Sequence, residues 1–150
     1  MALVIKDIEK HFGKQRVLDH VTFTVEVGHV YVIVGTNGSG KTTLMNIAND
    51  LVHADAGYMS LDGHPLGNVK FKEAMYYVPS DFYLPEYLTG AEYVNFMLKR
   101  YPHAIGEYVQ WLFELFELKD VQNDTLESYS FGMKKKIQLI AAISANTEYI

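Results

Sequence analysis

The segment Val21-Thr22-Phe23-Thr24-Val25-Glu26-Val27 alternates apolar and polar side chains. A two-residue period predicts a strand with one face on a core and the other in water. Ala2 to Ile5 predicts a shorter strand ahead of it. Gly28 breaks the alternation, and Val30-Tyr31-Val32-Ile33-Val34 then runs apolar without interruption. A β-branched run of this kind suits a strand covered on both faces, as in a parallel sheet. Gly57 to Leu61 and Met75 to Val78 predict two more short strands, with the turn signal Asp62-Gly63 between them. Pro79 closes the second, because proline cannot donate to a ladder.

Elsewhere the period is helical. Leu44 to Leu51 predicts a helix directly after a glycine-rich stretch, 35–43. Thr89 followed by Glu92 has the spacing of a capping box and predicts a helix start. Between Ile105 and Leu118, the residues Ile105, Tyr108, Val109, Leu112, Leu115 and Phe116 fall on one helical face, and Glu107, Gln110, Glu114 and Glu117 on the other. A last helix is predicted from Phe131 to about Asn146, after the polar stretch 122–128.

Composition narrows the class. The 150 residues are 49% apolar and 21% charged, ordinary for a soluble globular domain. Cysteine is absent, which excludes disulfides, thiolate metal sites and cysteine nucleophiles. No run approaches the roughly 20 apolar residues of a membrane span, and Met1 to Lys6 lacks the core of a signal peptide, so a cytoplasmic location is expected. The net charge of −5 speaks against a broad grip on a nucleic acid. That charge is unevenly spread: Tyr77 to Glu127 holds nine acids against three bases. Most of them belong to the wet faces of the predicted helical segment, between two near-neutral blocks. The six histidines (His11, His20, His29, His53, His64, His103) include no i, i+4 pair of the kind that holds zinc on a helix, so surface or structural roles are expected.

The candidate chemistry lies in Gly35-Thr36-Asn37-Gly38-Ser39-Gly40-Lys41-Thr42, which matches G-x-x-x-x-G-K-[ST], the phosphate-binding P-loop. A buried strand before it and a helix after it are the context the motif needs. Gly35, Gly38 and Gly40 free the backbone for positive φ and close ligand approach. Successive N–H groups then face an anion at a helix N-terminus, where the helix dipole favours negative charge. The expected roles are Lys41 on the β- and γ-phosphates of ATP and the Thr42 hydroxyl on Mg²⁺.

Three further features resemble the ATP-binding subunits of ABC transporters. His11-Phe12-Gly13 with Val17-Leu18 precedes the P-loop. The resemblance implies that Phe12 stacks on adenine and Val17 adds apolar contact. Tyr129-Ser130-Phe131-Gly132-Met133-Lys134 is similar to the family signature L-S-G-G-Q, with Ser130 and Gly132 as strict matches. Variants with Gly-Met-Lys here look like the export-type branch. The resemblance implies that Ser130 and Gly132 hold the γ-phosphate of ATP bound to a second subunit, in a head-to-tail dimer. Lys134-Lys135-Lys136 either adds to that anion field or is a solvated charge run. Tyr77-Val78-Pro79-Ser80 stands where the family ends in Pro-Gln. Ser80 therefore occupies the place of a glutamine that touches Mg²⁺ and the attacking water. Serine is shorter, which leaves a water-bridged contact or replacement by Asp81.

The resemblance implies an α/β P-loop nucleoside triphosphate hydrolase fold: an antiparallel β subdomain plus a parallel-sheet core with an inserted helical subdomain. The expected parts are 1–78 (β subdomain and P-loop core), 79–130 (helical insert ending at the signature) and 131–150 (return to the core). Implied ligands are ATP, bound by Phe12, Val17, 35–43 including Thr43, Ser130 and Gly132, and Mg²⁺ on Thr42. Implied partners are a second ATP-binding subunit and a transmembrane permease, which would hold the protein on the inner face of the membrane.

The family pattern continues past the signature helix into a strand ending in Asp-Glu, which holds Mg²⁺ and polarises water. This chain reaches Ile150 on entry to that strand, so it is expected to be an incomplete domain, inactive alone although its parent is an ATPase. The alternative is a nucleotide-binding module that does not hydrolyse. A chromosome-type relative is disfavoured by the lack of a coiled-coil insert, and a kinase or GTPase by Ser130-Phe131-Gly132 before a helix.

Overall fold

The computed structural model describes residues 2–80 and 84–150. The chain packs as two units, Met1–Lys72 and Glu73–Ile150, each with its own core.

The first unit is built on an antiparallel sheet. Strands β1 (Ala2–Phe12), β2 (Gln15–Glu26), β3 (Ala56–Leu61) and β4 (His64–Pro65) lie in the order β2-β1-β3-β4. Leu3 and Ile5 of β1 point inward, and a strict two-residue period would send Asp7 in after them. A bulge prevents this. Asp7 takes a left-handed φ of 50°, its N–H donates to Thr22 Oγ1 at 2.9 Å, and the ladder shifts register between Ile5 and Ile8. The extra residue reverses the phase, so Ile8 is buried instead. Across the bulge stands Gly57 of β3 (φ 85°), where a Cβ would run into the Asp7 carbonyl. Helix α1 (Lys41–Ala48) buries Leu44, Ile47 and Ala48.

The run Val30–Val34 departs from expectation. It forms no strand, and Val30 and Val34 are 94% and 88% exposed. A β-branched run favours extended backbone, but a strand exists only where a neighbour supplies its ladder. None of the described strands pairs with this segment. The predicted strand Met75–Val78 likewise reduces to one parallel bridge, Met75 with Tyr149. Its bonds are Tyr76 N–H to Tyr149 O at 2.9 Å and Tyr149 N–H to Ala74 O at 3.0 Å.

The second unit is helical: α3 (Gly90–Leu98), α4 (Val109–Leu115) and α5 (Phe131–Ala145), following the short α2 (Val69–Glu73), which the sequence did not predict. Thr89 caps α3 with both bonds of the capping box. On α5, Ile137, Ile140, Ala141, Ser144 and Ala145 form one buried face. With Val94 of α3 and Leu112 and Phe113 of α4 they make the core. Helix α4 is shorter than the pattern suggests. A 3₁₀ turn, Gly106–Tyr108, precedes it, and Glu117 (φ 58°) turns left-handed just past its end. A tighter first turn changes the phase of the stripe. Val109, Leu112 and Phe113 go in, whereas Tyr108 and Leu115 stay exposed, contrary to expectation. Glu107, Gln110, Glu114 and Glu117 face water as predicted. Among the described residues no helix is long and apolar enough to cross a membrane.

Candidate functional site

The phosphate loop of the first unit leads into α1. Gly38 (φ 81°) and Gly40 (φ 92°) both hold backbone that other residues adopt only under strain. Gly40 is also pressed from outside: a Cβ there would lie 2.7 Å from Leu18 Cδ2 and 2.8 Å from the Val17 carbonyl. Val17 and Leu18 of β2 therefore seat the loop, and glycine is the residue that fits beneath them. At Gly35 a Cβ would lie 2.5 Å from Ser39 Oγ, so a side chain there would displace the Ser39 hydroxyl. The loop folds over Lys41, whose ammonium donates to Gly35 O and Thr36 O, each at 2.8 Å, and to Ser39 Oγ at 3.4 Å. Ser39 N–H returns to Thr36 O at 3.2 Å.

What this arrangement leaves open matters as much. Helix α1 begins without a side-chain cap and without an acid in its first turn. No acid of its own first turn competes for the first N–H groups or the positive end of its dipole. The Thr42 side chain lies at this end, exposed, with Thr43 half-buried beside it, and Asn37 is exposed on the loop. The donor set, one ammonium and a row of backbone N–H groups, suits a polyphosphate, and the exposed Thr42 hydroxyl at the helix start is an oxygen that a cation accompanying the phosphates could use.

In the same unit Phe12 sits at the tip of the β1–β2 hairpin, paired with Gln15 and 52% exposed. The turn carries Gly13 at φ 60° in its first central place, which a side chain would strain. Two residues that sequence reading missed gather beneath Phe12. The Lys10 ammonium lies 5.5 Å from the Phe12 ring centroid and 2.8 Å from Asp55 Oδ1. Asp55 Oδ2 accepts from His11 N–H at 2.6 Å. The Lys10 hydrogen bond first, then the His11 backbone N–H, holds the Asp55 carboxyl below the usual carboxylate range. It is therefore charged at neutral pH, and the tether is lost only as pH falls through that lowered value. No period or motif marks Asp55; its partners lie 44 and 45 residues away in sequence.

The second unit holds the signature segment. Ser130 is the N-cap of α5, and its Oγ accepts from Met133 N–H at 3.3 Å. Gly132 faces open space, with nothing within 4 Å of a Cβ placed there. Helix α5 has no acid in its first turn. Ser130 and Gly132 thus stand at a helix start whose first turn carries no acid. The lysine run divides among separate acceptors at or near the surface. Lys134 Nζ pairs with Glu86 at 2.6 Å, Lys135 Nζ donates to the Pro79 carbonyl at 2.6 Å and to Gln138 Oε1 at 3.3 Å, and Lys136 lies 3.7 Å from Glu117. On a helix three consecutive residues diverge by about 100° each, so the lysines reach separate acceptors rather than one anion. Ser80 is exposed, directly after the carbonyl that Lys135 holds. Asp81 lies outside the described residues.

The pattern of the ABC transporter family matches residues 18–150. The linearmycin resistance ATP-binding protein LnrL of Bacillus subtilis (strain 168) is 29% identical over 153 aligned positions, covering 99% of this chain and 49% of that protein. The SkfA peptide export ATP-binding protein SkfE of the same organism is 25% identical, covering 93% and 59%. A solved structure of the ATP-binding subunit of an ABC transporter superposes with a TM-score of 0.91 at 28% identity, over 99% of this chain and 65% of that one. The putative ABC transporter ATP-binding protein from Pyrococcus furiosus gives 0.84 at 25% identity, over 99% and 74%. This chain spans about half the length of LnrL and a similar share of other curated relatives it matches.

Proposed function

The chain belongs to the ABC transporter family, and from that premise we propose that it is the nucleotide-gripping part of an ATP-driven transport motor. The observation that carries the reading is the phosphate loop: Lys41 held in a glycine-dependent cradle, at the start of a helix whose first turn carries no acid. ATP binds with its β- and γ-phosphates on Lys41 and the N–H groups of 38–43, and with its base on Phe12 beside Val17. Mg²⁺, when bound with ATP at Thr42, neutralises phosphate charge. A loose phosphoryl-transfer transition state needs little covalent help, so positioning and charge neutralisation are the work of these residues.

Ser130 and Gly132 serve a second nucleotide. Their open helix end fits the γ-phosphate of ATP carried by another subunit, which makes the working unit a head-to-tail pair. Ser80 takes the place of the glutamine that in the family touches Mg²⁺ and the attacking water. Residues 79–130 form the part that meets a membrane permease, which holds the motor on the cytoplasmic face. The Gly132-Met133-Lys134 signature, and relatives with resistance and peptide-export names, support the export-type branch.

Phosphate release assays on the complete subunit with its permease test this reading. Turnover that a Lys41→Ala substitution abolishes is expected, and turnover insensitive to that substitution would overturn it. The 150 residues alone are expected to release phosphate no faster than their own Lys41→Ala variant. Turnover clearly above that control would show that the chain carries its own water-activating group.

A further inference from the structure

The tip of the β1–β2 hairpin outruns the rest of the sheet. The rungs between β1 and β3 end at Glu9 with Ala56. Beyond that rung Lys10, His11 and Phe12 retain β2 as a neighbour, while the β3 side is continued by Asp55 alone among the described strands' neighbours. The Asp55 N–H donates to Glu9 O at 2.9 Å, and its carboxylate then supplies two further attachments: Oδ2 to the His11 N–H at 2.6 Å and Oδ1 to the Lys10 ammonium at 2.8 Å. The His11 ring Nδ1 lies 3.4 Å from the same carboxylate. One side chain thus extends the ladder by the rung that β3 lacks, and fixes the cation that sits against the Phe12 ring.

We propose that Asp55 is a positioning residue for nucleotide recognition: through His11 N–H and Lys10 it holds the Phe12 ring as a fixed platform for a purine base. The proposal rests on the nucleotide reading of the phosphate loop. Stacking on a ring yields most when the ring is already held in place, because an untethered hairpin tip must lose its freedom on binding. The Lys10 side chain is only 13% exposed while Phe12 is half exposed. The tether therefore lies under the platform and leaves the ring open to a ligand. Asp55 itself, at 42% side-chain exposure, fills no core position.

Charge gives the test a direction of its own. Removing a carboxylate from a unit that binds a polyanion would by electrostatics alone strengthen binding of every polyphosphate. Loss of the platform weakens only ligands that carry a base. Calorimetric titration of the full chain with ATP and with inorganic tripolyphosphate separates the two. For Asp55→Ala, ATP affinity is expected to fall about three- to tenfold while tripolyphosphate affinity is unchanged or higher. Phe12→Ala is expected to show the same split. An ATP loss smaller than threefold, or an equal loss of both ligands, would overturn the role of Asp55. Lys41→Ala serves as the second arm. If it removes binding of both ligands while Asp55→Ala does nothing, the Asp55 proposal fails alone; if it too does nothing, the phosphate-loop reading fails with it.

Discussion

Replacing Lys41 with alanine is expected to lower ATP affinity about 30-fold or more. The ammonium is the one side-chain cation within the loop, and it now satisfies Gly35 O and Thr36 O at 2.8 Å each. A charged partner removed from a phosphate costs about 2–5 kcal/mol, and the two carbonyls would be left facing the ligand's negative charge. Stability should change far less, because Lys41 is half-buried and the fold of α1 depends on Leu44, Ile47 and Ala48. Thermal unfolding beside ATP titration separates the two effects. A parallel loss of fold and affinity would mean that Lys41 is a structural clasp.

The second large effect concerns Gly132. Gly132→Asp is expected to leave the fold and the ATP affinity of the chain within twofold, and to cut turnover of the assembled motor about tenfold or more. Nothing stands within 4 Å of the new Cβ, so the substitution causes no clash. An acid in the first turn of α5, which has none, should if anything raise helix stability by about 0.3–1 kcal/mol. The same carboxylate occupies the helix end where Ser130 and Gly132 are proposed to receive a γ-phosphate, and it repels that anion. A gain in stability joined to a loss of turnover is a pairing that structural damage does not produce. Turnover reduced by less than tenfold would remove the signature from the phosphate site.

The local geometry around the phosphate loop and the Ser130 cap was legible in the sequence because it is set by near neighbours, whereas the role expected of Gly132 came from the family resemblance. A glycine whose φ must be positive, a lysine following it, and a serine capping a helix are set by neighbours within four or five residues. The same holds for the Thr89–Glu92 box and for the alternation of β2. Legibility failed where partners are distant or missing. Val30–Val34 reads as a buried strand, yet stays exposed because a strand needs a ladder that its own residues cannot supply. The stripe of α4 slipped at a 3₁₀ turn, which moved Tyr108 and Leu115 outward and Phe113 inward. The lysine run looked like one charge cluster, but helical geometry sends its members to Glu86, Pro79 and Glu117 separately. Asp7 and Asp55 carried no signal, since a bulge and a cross-strand tether show only once β1 has found β3.

In the proposed reading this chain recognises a nucleotide by its β- and γ-phosphates through the loop at 35–43. Titration of the chain with ATP, ADP and AMP in the presence of Mg²⁺ tests it most directly. All three share the base that Phe12 would stack on, and they differ only in the phosphates that Lys41 and the α1 N–H groups would hold. ATP and ADP are expected to bind, and AMP to bind at least about tenfold more weakly. AMP binding as tightly as ATP would contradict it.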